Sequence, residues 1–207
     1  MVDNKPPAGN RPTKLIAAVF TGIAALLVVA LLAVLPRLLE SSGQGPAIGG
    51  PFRLIDQTGK TVTDADYRGK LMLVYFGYTF CPDVCPTTLG AMAQAYDQLS
   101  PAQRDQVVPI FITVDPERDT VDQMASYVAN FSPALVGLTG SPDEVKPVLQ
   151  EYRVYAAKAE GNGPNYSVDH SSIIYLMDKN GKFSTHFDGN ASPPQIAEGV
   201  KKLLAAG

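Results

Sequence analysis

The sequence has few of the residues that most often carry metal or thiol chemistry: its 207 residues include two cysteines and two histidines. Two cysteines cannot form a disulfide-rich scaffold, and by themselves they cannot complete a four-ligand zinc or iron–sulfur site. The net charge of -3 gives no electrostatic case for a nucleic-acid partner. The sequence also lacks a Ser-His-Asp arrangement, a phosphate-cradling glycine loop and paired glycosidase carboxylates. Any thiol or metal chemistry must therefore come from very few side chains.

The first 50 residues are predicted to precede the folded domain. Residues 1–14 are polar, proline-rich and basic, which is typical of a short cytoplasmic tail. Residues 15–35 carry no charged side chain, and a run of this length crosses a bilayer as a helix. We therefore predict a transmembrane anchor over residues 15–36. It is followed by a predicted flexible linker over residues 37–50 that is rich in glycine, serine and proline.

A cleavable signal peptide is the competing interpretation of the apolar run. A signal peptide normally has a shorter apolar core that ends in a small-x-small cleavage site, and residues 34–37 offer no such site. Basic residues lie mainly before the run, at Lys5, Arg11 and Lys14. By the positive-inside rule, the N-terminus stays in the cytoplasm and the domain over residues 51–207 is exported. We expect a single-pass protein of the inner membrane with its domain in the periplasm, or in the intermembrane space of a mitochondrion.

Both cysteines lie in one stretch, residues 76–86, between a predicted strand and a predicted helix. The apolar, β-rich run over residues 71–76 predicts a buried strand. Strand-to-helix junctions present reactive groups on a rigid scaffold, and a helix N-terminus favours anions. We therefore expect the pKa of a thiol at this junction to be lowered. The helix is predicted because apolar side chains recur at helical spacing at Leu89, Met92, Ala93, Tyr96 and Leu99.

The spacing of Cys81 and Cys85, with three residues between them, allows either a disulfide or a two-thiolate metal site. It is not the Cys-x-x-Cys spacing of thioredoxin-type redox pairs. Thiolates are soft ligands that select Cu(I), zinc or iron–sulfur clusters. With one further ligand the pair would suit copper, as Cu(I) or as Cu(II). A purely structural disulfide is the alternative.

The two histidines are the candidates for that further ligand. His170 lies immediately before the predicted strand 173–177, which in the expected fold neighbours the central strand and so comes close to the cysteines. His186 falls inside the predicted strand 183–187 and is interpreted as an ordinary hairpin side chain. Asp169 is expected either to orient His170 without binding the metal itself or to hydrogen-bond the turn.

The rest of the chain alternates between strands and helices. An N-terminal hairpin over residues 52–63 comes first. The order of the predicted elements favours an α/β, thioredoxin-like fold: a central mixed β-sheet with helices on both faces, preceded by one N-terminal transmembrane helix. The remaining predicted elements are strands over 107–114, 135–139 and 152–156, a hairpin over 172–187, helices capped by Thr120 and Ser141, and a helix over 193–204.

A charged segment, residues 114–120, follows the strand over 107–114, at the same end of the sheet as the cysteines. One interpretation is a solvated loop with an Asp/Arg pair and a threonine cap. The other is a surface that docks a partner or supports the loop within the cysteine-containing stretch, residues 76–86, with Asp115 and Arg118 as the residues concerned.

Three separated motifs resemble the signatures of the Sco/SenC family, in order and in approximate spacing. The resemblance covers essentially residues 51–207, and an N-terminal anchor is also typical of that family. Phe80 stands where some members carry histidine, which removes one auxiliary ligand without disturbing the rest of the pattern. The motifs are residues 77–86 with both cysteines, the charged segment 114–120, and Val168-Asp169-His170-Ser171.

The resemblance implies a thioredoxin-like domain that binds one copper ion through Cys81, Cys85 and His170. The family is implicated in assembling the dinuclear copper centre of cytochrome c oxidase. Its members act as copper donors, as reductants of the oxidase subunit's cysteines, or as both. The expected partner is therefore the copper-centre subunit of the oxidase, and another periplasmic copper carrier or a thioredoxin-like reductase is a further candidate.

Two other functions compete with a copper metallochaperone. A thiol-disulfide oxidoreductase would use Cys81 and Cys85 as its catalytic pair and bind copper only adventitiously. A peroxidase of the same fold would need one strongly activated cysteine rather than a pair. Dependence on His170 separates the first from the metallochaperone, because a dithiol reaction does not need the imidazole.

Overall fold

The computed structural model describes residues 31–32, 48–159, 163 and 166–206. The predicted cytoplasmic tail, the predicted anchor apart from residues 31–32 and most of the predicted linker lie outside this part of the chain. Within it, no helix is long and apolar enough to cross a membrane. The folded unit includes the end of the predicted linker, since Ile48 packs against the core and the Gly49 N–H donates to the Glu151 carbonyl at 2.8 Å.

The described chain forms a seven-stranded mixed sheet and a separate two-stranded one. Along the large sheet the order is β2-β1-β5-β4-β3-β8-β9, with β3, β4 and β5 parallel and the other pairs antiparallel. The small sheet is the β6–β7 hairpin. The strands are β1 (Arg53–Asp56), β2 (Thr61–Thr63), β3 (Leu71–Gly77), β4 (Val107–Thr113), β5 (Val136–Thr139), β6 (Ala156–Lys158), β7 (Val168–His170), β8 (Ile173–Met177) and β9 (Phe183–Asp188).

The helices begin where the sequence provides caps. Ser141 accepts a hydrogen bond from the Glu144 N–H, while the Glu144 carboxylate accepts one from the Ser141 N–H. Thr120 likewise accepts from the Gln123 N–H, so both predicted N-caps are confirmed. The helices are α1 (Val84–Asp97), α2 (Pro101–Arg104), α3 (Val121–Val128), α4 (Pro142–Glu151) and α5 (Pro193–Ala206), with a 3-10 turn at Asp64–Tyr67.

The central strands β3 and β4 are buried at every position. A strand whose side chains are all buried has both faces of its sheet covered, which explains the continuous apolar runs. The cysteine loop, residues 78–83, connects the end of β3 to the start of α1. Because β3 and β4 are parallel, with Gly77 opposite Thr113, this loop and the charged segment leave the sheet at the same edge. Strand β8 lies beside β3 as expected, which brings His170 toward that edge. The thioredoxin-like arrangement is confirmed in these elements.

The predicted strand over residues 152–156 is wrong. Tyr152 caps the end of α4, and its buried ring packs against Phe76 and Tyr175. Arg153 then adopts a φ of 55°, which no extended strand allows, so the strand begins only at Ala156. Strand β7 and helix α2 were not predicted from the sequence, because elements of three or four residues are too short for a periodic pattern.

Candidate metal centre

The two cysteines and His170 converge at the C-terminal edge of β3. The sulfurs of Cys81 and Cys85 and a ring nitrogen of His170 all lie within 4.8 Å of one another. His170 Nε2 is 3.4 Å from the Cys85 sulfur. Cys81 and His170 are half-buried and Cys85 is buried. The structure thus brings together the three side chains that the sequence analysis singled out.

The two cysteines are held by the start of α1. Cys81 lies in the loop before the helix and Cys85 in its first turn, so the Cys85 N–H points toward the Cys81 sulfur at 3.4 Å. Pro86 also lies in the first turn, where a proline removes no intrahelical hydrogen bond. The helix can therefore start between the two cysteines, and the turn before it brings their sulfurs together.

His170 is oriented by its neighbour. Its Nδ1–H donates to the Ser171 carbonyl at 3.0 Å, which leaves the lone pair of Nε2 directed at the sulfurs. Burial lowers the pKa of His170, although the hydrogen bond to Ser171 and the charge of exposed Asp169 oppose this shift. The ring is therefore neutral at neutral pH, which is the form that binds a metal ion.

Burial dominates the acidity of Cys85. The pKa of this thiol is raised, chiefly because charge is disfavoured in the buried position, and a hydrogen bond with the Tyr78 backbone opposes the shift only in part. The expectation that the helix N-terminus would lower the thiol pKa is therefore wrong for Cys85. At neutral pH this residue is a thiol that must lose its proton when it becomes a metal ligand.

The last residue of β3 must be glycine for Cys85 to occupy its position. A Cβ on Gly77 would stand 2.6 Å from the Cys85 sulfur and 3.0 Å from the Phe111 ring. Beyond this contact, the Tyr75 hydroxyl lies 4.0 Å from the same sulfur and 3.4 Å from the Ser172 hydroxyl. The wall behind Cys85 is thus formed by close packing against β3.

Replacing Gly77 by alanine is expected to push Cys85 out of the cluster. The overpacked methyl group should lower the free energy of unfolding by about 1–3 kcal/mol and weaken metal binding at the same time. Urea unfolding and a metal titration would measure the two effects. Gly90→Ala is the matched control, because a Cβ there meets nothing within 4 Å and alanine is the better helix former. An equally stable Gly77→Ala variant with unchanged metal binding would contradict this account.

One residue of the charged segment, Asp119, holds the cysteine loop in place through hydrogen bonds to its buried carboxylate. Asp119 is fully buried, and its carboxylate accepts hydrogen bonds from the Thr79 N–H, the Thr79 hydroxyl and the Thr113 hydroxyl. Thr79 stands two residues before Cys81, so these bonds tie the loop to the end of β4. Asp119 and Thr79 were not predicted as functional residues, because a carboxylate next to a helix cap is normally exposed to solvent. Its burial here is visible only in the folded structure.

His186 does not join the cluster. It lies exposed on β9, where its ring stacks against Phe183 at a centroid distance of 6.2 Å. Its interpretation as an ordinary hairpin side chain is confirmed. Among the residues that the structure describes, Cys81, Cys85 and His170 are the one group of three or more thiol, imidazole or carboxylate side chains close enough together to hold a metal ion.

The fold and the site together define a thioredoxin-like protein in which two thiols and one imidazole converge beside the central strands. The SCO1/SenC family model matches residues 40–205. The chain therefore belongs to the SCO1/SenC family, as its three motifs indicated.

Relatives and solved structures agree with this assignment. Protein SCO1 homolog 1, mitochondrial, of Arabidopsis thaliana is 47% identical over 158 residues, which are 76% of this chain and 47% of the relative. The chain thus spans about half the length of that relative. The structure of Bradyrhizobium japonicum ScoI with copper bound has a TM-score of 0.71 at 46% identity, over 76% of this chain and 99% of that one.

A further solved structure, of lower sequence identity, is of a protein with a disulfide switch. BsSco is described as a member of the Sco family of cytochrome c oxidase assembly proteins in which a disulfide switch was identified. It is 28% identical, with a TM-score of 0.63 over 77% of this chain and 96% of that one. Copper and a disulfide are thus both associated with proteins similar to this chain.

Proposed function

We propose that this protein is a membrane-anchored copper metallochaperone that helps assemble the dinuclear copper centre of cytochrome c oxidase. Its cargo would be one copper ion, held by Cys81, Cys85 and His170. The observation that carries the proposal is the convergence of two sulfurs and one ring nitrogen within 4.8 Å. The copper-bound relative ScoI and the oxidase-assembly description of BsSco support it.

The donor set suits copper in both oxidation states. Two thiolates are soft ligands that favour Cu(I), and the imidazole adds a nitrogen ligand that Cu(II) also accepts. The chain orients Nε2 of His170 through the hydrogen bond from Nδ1 to Ser171. Loading copper requires both cysteines to be reduced, and Cys85 gives up its proton in the process.

Release of the cargo would occur on the side of Cys81. Cys81 is more exposed than Cys85, and the neighbouring Phe80 and Val84 are 50% and 47% exposed. A partner's thiolates could approach here and exchange with the ligands one at a time. The proposed partners are the copper-centre subunit of the oxidase and, for loading, another periplasmic copper carrier or a thioredoxin-like reductase.

The location of the protein is part of the proposal. The uncharged run over residues 15–35 and the basic residues before it support an inner-membrane anchor with a cytoplasmic N-terminus and a periplasmic domain. A reporter enzyme that is active only after export, fused after residue 207, should be active. Activity of a cytoplasmic reporter at the same position would contradict this location.

A thiol-disulfide reductase is the second candidate, favoured by the pairing of an accessible and a buried cysteine. The Cys81 thiolate would attack a disulfide of the oxidase subunit and release one of its cysteines as a thiol. Cys85 would then attack the mixed disulfide and release the second. The client gains two electrons and two protons, and the chain is left with a Cys81–Cys85 disulfide. The disulfide switch described for BsSco supports this possibility.

The proposed function is tested by an anaerobic copper titration of the reduced 207-residue chain in a mild detergent. We expect one tightly bound equivalent. In the source organism, deletion of the gene should lower oxidase activity in copper-poor medium, and the wild-type chain should restore it. Absence of tight copper binding would contradict the proposal that the protein is a copper metallochaperone. Full oxidase activity in the deletion strain would remove the assembly role.

A further inference from the structure

The hairpin that carries His170 is not a part of the seven-stranded sheet. Strands β6 and β7 pair with each other in a separate two-stranded sheet. No ladder of hydrogen bonds from the main sheet therefore fixes the hairpin within the described chain. The distance from His170 to the sulfurs depends on the short connection to β8 and on side-chain contacts between the hairpin and its neighbours.

One side chain, Arg118, bridges the hairpin and the cysteine loop. Its guanidinium carbon lies 3.6 Å from the ring centroid of Tyr166, which precedes β7. The same carbon is 4.8 Å from the Phe80 ring and 5.6 Å from the Tyr78 ring, both in the cysteine loop. Planar guanidinium groups stack favourably on aromatic rings, and more so when they are removed from water. Arg118 is only 14% exposed, so its contacts with both segments are largely shielded from solvent.

Asp115 fixes the guanidinium in this position. One of its carboxylate oxygens accepts a hydrogen bond from Arg118 Nε, and the other accepts one from the Tyr166 hydroxyl at 2.6 Å. The Asp115 side chain is only 2% exposed, which strengthens both bonds. Asp115, Arg118 and Tyr166 thus form a closed unit in which the carboxylate holds the cation and the ring together.

Tyr78 extends the unit to the candidate ligand. Its ring meets the His170 ring edge-on, with a centroid distance of 5.8 Å. The guanidinium carbon of Arg118 lies 5.6 Å from the centroid of the same ring. A displacement of Arg118 would therefore release both the ring that packs on His170 and the ring that anchors the hairpin.

We propose that Arg118 is a positioning residue that holds the β6–β7 hairpin against the cysteine loop and so keeps His170 close enough to the two sulfurs for all three side chains to bind one ion. This inference rests on the proposed copper-binding function and assigns a physical role to the charged segment. Arg118 acts through Tyr78 and Tyr166 and does not itself bind the ion.

The test compares Arg118→Met with wild type in the full 207-residue chain. Methionine keeps the apolar length but removes the planar cation. Loss of a group that orients a ligand is expected to lower copper affinity by about tenfold. In electron paramagnetic resonance of the Cu(II)-loaded chain, the coupling to the His170 nitrogen should weaken, while the thiolate-to-copper absorption persists. Arg118→Lys should not restore the coupling, because an ammonium group cannot stack in the same way.

Lys158→Met is the matched control. Lys158 lies on the same hairpin, pairs with Glu117 and places its ammonium nitrogen 4.7 Å from the Tyr166 ring centroid, but the side chains of Lys158 and Glu117 are more than half exposed. An exposed cation contributes little through its contact with a ring, so this variant asks whether any cation beside Tyr166 is sufficient. Exposed pairs contribute little, so this variant should bind copper as wild type does. If Lys158→Met changed the nitrogen coupling as much as Arg118→Met, the specific role of Arg118 would be disproved.

A second measurement needs no copper. Amide hydrogen exchange of the metal-free chain should become faster in β6 and β7 of Arg118→Met and stay unchanged in β3. Tyr166→Leu should change both measurements in the same direction, and the effects of the two substitutions should be less than additive in the double variant, because each removes the contact between Arg118 and Tyr166. Unchanged exchange and unchanged nitrogen coupling in Arg118→Met would overturn the inference. If wild type bound no copper, the proposed function would fail, and the exchange rates alone would decide whether Arg118 holds the hairpin.

Discussion

Copper affinity of the 207-residue chain is expected to fall by more than about a hundredfold when Cys85 is replaced by serine, since loss of a ligand should exceed the loss of a group that merely orients one. A serine hydroxyl is a hard, neutral donor, whereas Cu(I) prefers soft sulfur ligands such as a thiolate. The substitution changes little in volume, so the wall behind the residue, which includes Gly77 and Tyr75, should still pack around it. Competition with a chelator of known affinity under anaerobic conditions would measure the change.

His170→Ala should weaken copper binding by at least about a hundredfold, the upper end of the range for a group that only orients a ligand, and leave the dithiol in place. The result separates the two candidate functions, because reduction of a disulfide by Cys81 and Cys85 does not require the imidazole. His186→Ala serves as the histidine control, as this side chain is exposed on β9 and lies outside the cluster. If His170→Ala bound copper as tightly as wild type, the site would consist of the two cysteines alone, and the reductase would become the favoured function.

Asp119→Ala should be among the most destabilising substitutions in the domain. It removes the acceptor for the Thr79 N–H, the Thr79 hydroxyl and the Thr113 hydroxyl, all in the interior. A buried donor without a partner costs about 1–3 kcal/mol, so the free energy of unfolding should fall by about 3 kcal/mol or more. Urea denaturation would show this as a lower midpoint with an unchanged slope.

Asp122→Ala is the control for this loss. Asp122 belongs to the same region, at the start of α3, but it is exposed. Its removal should change the unfolding free energy by no more than about 1 kcal/mol, the range for a charge near a helix N-terminus. Equal losses in the two variants would show that the buried hydrogen bonds of Asp119 carry no special weight.

The prediction from sequence was most complete around the cysteine-containing stretch, residues 76–86. An apolar run followed by a 3.6-residue period located β3 and α1, and the two cysteines were correctly assigned to the junction between them. The caps at Thr120 and Ser141 were equally readable, because a cap involves residues only three positions apart. The strand expected over 152–156 failed because burial of the Tyr152 ring and the backbone turn at Arg153 are set by tertiary packing.

The sequence by itself determined the order of the strands and helices other than β6, β7 and α2, the place of the cysteine pair and, through three motifs, membership of the SCO1/SenC family. These features depend on neighbouring residues and on local periodicity. Only the tertiary structure decided that Cys85 is buried with a raised pKa, that Asp119 supports the loop from the interior, and that Arg118 lies between two segments. His170 and Cys85 are 85 positions apart, and their contact exists because β8 lies beside β3. Burial and long-range contact are properties of the packed chain, and no local pattern carries them.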